Sequence, residues 1–78
     1  MVEKLRIKAI YDDFLRNVSL TDEQIRILNM LIKKETIVKI SMEIGISVRT
    51  ANYEIRKLKN IYEDYYDLQL SKTILLMK

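Results

Sequence analysis

This sequence predicts an all-α fold of five helices, and three observations carry the prediction. The chain has no proline and one glycine, Gly45, so the residues that usually punctuate strands and end helices are nearly absent. Apolar residues recur at intervals of three and four through most of the chain, which is the period of a helix and not the alternation of a half-buried strand. Serine or threonine stands ahead of several of these runs, where its side chain can accept from the free N–H groups of a first helical turn.

The elements follow in order. Residues 2–17 read as one amphipathic helix, with Ile7, Ile10, Tyr11, Phe14 and Leu15 on its apolar side, continued by Val18. Residues 17–20 interrupt it. Thr21 and Gln24 then form a capping box, with Leu20 and Ile25 placed as a hydrophobic staple. The second helix runs to about Lys34, turns Ile25, Leu28, Leu31 and Ile32 inward, and sets Lys33 and Lys34 at its negative pole. From Thr36 a short helix aligns Ile37, Ile40, Ser41 and Ile44, and it ends at Gly45. Ile46 anchors the turn and Ser47 caps a long helix over residues 48–65, whose seam is Val48, Ala51, Ile55, Leu58, Tyr62 and Tyr65. Ser71 is placed to cap a last helix over residues 72–77, in which Ile74, Leu75, Leu76 and Met77 leave an apolar face for the core or for a partner helix.

At 78 residues the chain supports one domain, residues 1–78, divided into an amino-terminal helix over 1–19 and a core over 20–78. A domain so small gains from self-association. With no cysteine there is no disulfide and no thiolate metal site, and with no histidine the commonest metal ligand and neutral-pH base are missing too. No metal, cofactor or catalysis is expected, since no nucleophile and base are paired. The charged amino terminus is no signal peptide and no run approaches membrane-spanning length, so a soluble cytoplasmic protein without a membrane partner is expected. Net charge is +3, but its placement is uneven: residues 26–60 carry eight cations against three acids, while the segments on either side are each −1. A basic middle suits a nucleic-acid contact surface.

The stretch TIVKISMEIGISVRTANYEIRKL orders small, turn, small as Ser41, Gly45 and Ala51, the requirement for two helices crossing through a short connection. This is a helix-turn-helix pattern over residues 36–59. Projected at 100° per residue, the second helix turns Arg49, Asn52, Tyr53, Arg56 and Asn60 away from its seam. Arginine can bridge guanine O6 and N7, asparagine can pair with adenine N6 and N7, and tyrosine adds apolar or phosphate contact. Arg49, Asn52, Tyr53 and Arg56 are therefore the expected base-contacting residues. Thr50, Lys33, Lys34, Lys39, Lys57 and Lys59 are the expected phosphate contacts, which supply affinity without choosing a sequence.

In LTDEQIRIL, KISMEIGIS, RTANYEI and SKTILLM, over residues 20–77, the chain resembles the LuxR/GerE type of helix-turn-helix DNA-binding domain. The resemblance implies a four-helix core carrying the extra amino-terminal helix and major-groove binding by the third core helix. It also implies base contacts from Asn52, Tyr53 and Arg56, and a homodimer through the last helix, with Ile74, Leu75 and Met77 as contacts. Four positions differ from the family pattern. Glu23 and Gln24 replace an Arg-Glu pair, Lys34 replaces a loop glycine, and Lys39 replaces an acidic residue before Ile40. The fourth region of bacterial sigma factors shares the same core, so a protein-interaction module that binds RNA polymerase or another regulator is the alternative. Tyr62, Tyr65 and Tyr66 read as packing or dimer residues, and Asp12, Asp13, Glu23 and Gln24 as solvated charge and polarity.

Overall fold

The computed structural model describes the backbone of residues 1–76 and the side chains of residues 1–71. Its elements are α1 (Val2–Leu5), α2 (Lys8–Asn17), α3 (Asp22–Ile32), α4 (Ile37–Ile44) and α5 (Val48–Leu76). The all-α class and the five helices are as expected, but they divide differently: residues 1–19 hold two helices and residues 20–76 three, where one and four were expected.

The expected helix over 2–17 divides at Arg6 and Ile7, where Ile7 leaves helical geometry with ψ 115°. The cause is burial. Leu5 and Phe14 are nine positions apart, so an unbroken helix would set them about 180° apart, facing opposite ways. Both are buried, at 2 % and 0 % exposure. Breaking the helix lets each reach the core and leaves Ile7 outside at 55 % exposure.

The expected short last helix over 72–77 is not separate: the backbone stays helical from Val48 to Leu76. Ser71 is a cap only where the chain before it leaves the helix. Leu68, Gln69 and Leu70 are good helix formers, and no glycine or proline forces an exit. At 29 residues α5 is about 43 Å long, close to the 48 Å long axis of the molecule. It is the spine against which α2, α3 and α4 pack.

The core gathers Leu5, Phe14, Ile27, Leu28, Ile40, Leu58, Tyr62 and Tyr65. Phe14 meets the edges of Tyr62 and Tyr65 at centroid distances of 5.6 and 5.2 Å, the geometry favoured by ring quadrupoles. On α3 the buried apolar residues are Ile27 and Leu28, while Ile25, expected inward, is only half-buried at the rim. The capping box forms as expected: Thr21 Oγ1 accepts from the Gln24 amide at 3.1 Å, and the Thr21 amide donates to Gln24 Oε1 at 2.9 Å.

Candidate nucleic-acid interface

The chain reverses between α4 and α5 at Gly45, which takes the left-handed conformation with φ 81° and ψ 35°. The Ile46 amide closes back onto the Ser41 carbonyl at 3.0 Å, so the carbonyl at the end of α4 is satisfied within the turn. A Cβ on Gly45 would meet nothing within 4 Å, so glycine is needed there for its backbone freedom alone. Ser41 and Ala51 are buried where the two helices meet, and Ser41 Oγ donates to the Val38 carbonyl at 2.7 Å, which disposes of its polar group.

Ser47 starts α5 by accepting the Thr50 amide at 3.1 Å and donating its own proton to Thr50 Oγ1 at 2.9 Å. The Thr50 hydroxyl proton is left to point to an outside acceptor. From this anchored start the four expected base readers emerge together. Arg49, Asn52, Tyr53 and Arg56 are all exposed and, with Val48, line one open groove of about 570 Å³.

Val48 is a correction. It was expected on the buried seam, but it is 42 % exposed and lies at the rim of this groove. Three residues before Ala51, it sits about 60° off that residue's direction, and no element covers it. Its helical angle was the signal available.

The lysines expected to meet phosphates are all exposed, but they are not equally free. Lys39 pairs with Glu35 at 3.1 Å, and Lys57 lies 3.8 Å from Glu54 and 5.4 Å above the Tyr53 ring. Lys33, Lys34 and Lys59, like Arg49 and Arg56, form no ion pair among the described residues. Lys57 and Lys59 are about 200° apart around α5 and so flank the outward face from its two sides. Lys34 takes φ 64°, a left-handed conformation unusual for a residue with a side chain, and the following amide, Glu35, closes onto the Met30 carbonyl at 3.0 Å.

The far half of α5 is arranged differently. Tyr65 donates to the Asp13 carboxylate in a short hydrogen bond. Burial first, and then this bond, push its hydroxyl up to about 12, so it stays neutral in the core. Asp13 was expected to be a solvated charge. It is instead half-buried and ties α2 to α5, because the break after α1 rolls α2 onto this face. Lys4 donates to the Tyr66 hydroxyl at 3.1 Å and sits 4.2 Å from that ring's centroid, and the hydroxyl raises the lysine's pKa. Ile74 and Leu75, expected dimer contacts, have side chains outside the described residues, and Met77 lies outside them altogether. Among the described residues no cluster of acidic side chains is suited to hold a metal, and no helix is long and apolar enough to cross a membrane. No known family model, no curated protein and no solved structure matches the chain.

Proposed function

We propose that this chain is a sequence-specific DNA-binding regulator of transcription, working in the cytoplasm, with the first half of α5 as its recognition helix in the major groove. The observation that carries the reading is that Arg49, Asn52, Tyr53 and Arg56 share one exposed groove on a helix that packs against α4 through buried Ser41 and Ala51, just after the Gly45 turn. Side chains with these hydrogen-bonding patterns, on a helix that presents them without competing acid partners, suit base edges. Kinship with the LuxR/GerE type gains support from Lys34, which adopts a left-handed backbone where that family carries glycine. No catalytic step belongs to this reading.

The functional unit is a homodimer that sets two recognition helices on a two-fold site. Its support is that α5 leaves large apolar side chains uncovered late in its length, Leu68 and Leu70 at 53 % and 45 % exposure on two different sides of the helix. The same region favours a second reading, a module that binds RNA polymerase or another regulator. An open groove of about 400 Å³ lined by Lys4, Ile7, Ile10, Tyr62, Tyr65, Tyr66 and Gln69 lies at the junction with the amino-terminal helices.

Selection of bound sequences from a random duplex pool tests both. A palindromic motif supports the dimeric regulator. Failure to retain any duplex at low salt, together with capture of purified RNA polymerase, overturns it in favour of the second reading.

A further inference from the structure

The break between α1 and α2 gathers a set of donors that lies scattered in the sequence. Arg6, from the break, and Lys8, the first residue of α2, share with Asn29 of α3 an open groove of about 310 Å³, whose other walls are Leu5, Tyr11 and Ile32. No carboxylate lines it. The Tyr11 hydroxyl donates to Asn29 Oδ1 at 2.7 Å, which fixes the amide so that its NH2 group is the end left for a ligand.

Arg26 and Lys33 stand three before and four after Asn29, so they extend the same stripe of α3. None of Arg6, Lys8, Arg26 and Lys33 forms an ion pair among the described residues, although Asp12 lies one turn beyond Lys8. The stripe from Arg26 to Lys33 is about 10 Å long, the axial rise of some three phosphates on one strand. With the Tyr11 proton committed to Asn29, the Arg6 guanidinium, the Lys8 ammonium and the Asn29 NH2 are the donors left in the groove, and a phosphodiester oxygen can only accept. The openness of the site suits a polymer passing across it, and Lys33 joins it to the lysines between α3 and α4.

We propose that Arg6, Lys8 and Asn29 form a second phosphate-binding site that grips the DNA backbone away from the recognition helix. This rests on the DNA-binding reading above. It gives the amino-terminal helices a direct part in affinity, and it adds phosphates to the footprint without adding base preference.

The test compares the full chain with the R6A/K8A double variant and with N29D on the selected duplex and on random duplexes, in a series of sodium chloride concentrations, and repeats the selection with each variant. N29D keeps the acceptor for Tyr11 and replaces the outward NH2 with a carboxylate oxygen, so it separates phosphate binding from folding. The expected result is that R6A/K8A lowers the slope of log K against log salt by about two, since each phosphate contact contributes roughly 0.9. N29D weakens binding roughly ten-fold or more at every sequence, and the selected motif is the same for all three proteins. An unchanged slope and unchanged affinity in both variants overturn this site while leaving the regulator reading in place. A wild-type chain that binds no duplex at low salt overturns both. Binding of inorganic phosphate or polyglutamate that N29D abolishes, with duplex affinity unaltered, also overturns it.

Discussion

Tyr53 and Tyr65 stand on the same helix, yet the first is 59 % exposed and the second 9 %. Around Tyr53 the neighbours are Arg49, Asn52 and Arg56, lying in a groove open to solvent. Around Tyr65 they are Phe14, Tyr62 and the Asp13 carboxylate. The difference comes from what packs against α5. Through Ala51 and Leu58 the helix uses one narrow stripe, so its outer face remains available, whereas beyond Leu58 the amino-terminal helices close over bulky rings. A single helix thus offers an exposed face at one end, the proposed reading surface, and a core element at the other, with each tyrosine's surroundings set by its direction.

Truncation of the two tyrosines should break this comparison most sharply. Tyr65→Ala is expected to cost about 3–5 kcal/mol of folding stability in urea denaturation, as for other large aromatic truncations in cores. Tyr53→Ala should stay within about 0.5 kcal/mol of wild type while weakening duplex binding. Equal stability losses for the two would show that the halves of α5 are not distinct.

The Tyr65 hydroxyl also makes the core half sensitive to alkali. Its folded pKa, about 12, lies above its ordinary value of 10.0, so the stabilisation is whole below about pH 10 and is lost as pH rises towards 12. Over that window the unfolded chain gives up the proton and the folded chain keeps it, so stability falls with pH. Thermal melts of the wild type and of Tyr65→Phe between pH 9 and 12 should diverge, the variant lacking this part of the slope.

On the half proposed to read DNA, Arg56→Ala should cost about 1–3 kcal/mol at the selected site and relax preference at one position. Lys57→Ala should weaken all duplexes alike and lower the salt slope by about one. Quantitative gel shifts on selected and random duplexes distinguish the two outcomes. Neither change should move the melting temperature appreciably, because both side chains are exposed.

Smaller effects are expected at the two left-handed residues that bound α4. Gly45→Ala should destabilise by about 1–2 kcal/mol, from the backbone alone, since the new methyl meets nothing. Lys34→Gly should stabilise by up to about 1 kcal/mol by relieving the same strain. If both substitutions prove neutral in chemical denaturation, the turns do not hold α4 against the spine as described.

Local chemistry was legible residue by residue. The Thr21–Gln24 box, the Ser47 cap and the Gly45 turn each depend on atoms within five positions of one another. The outward direction of Arg49, Asn52, Tyr53 and Arg56 follows from helical geometry once Ala51 and Leu58 are known to be apolar. What misled was competition between distant residues for burial. Ile7 fits the apolar stripe of α2 perfectly well and is still left outside, because Leu5 takes the core position that a continuous helix would deny it. Ser71 carries the chemistry of a cap but lies inside a helix with no reason to stop.

By itself, then, the sequence determined the all-helical class, the cap and turn residues, and the composition of the exposed face early in α5, because these follow from short-range sterics and a fixed helical period. Only the tertiary structure decided that α1 breaks from α2, that Asp13 meets Tyr65, and that Arg6, Lys8 and Asn29 share a groove. Those outcomes set residues far apart in the chain against one another for a small core, and no local pattern records which of them is buried.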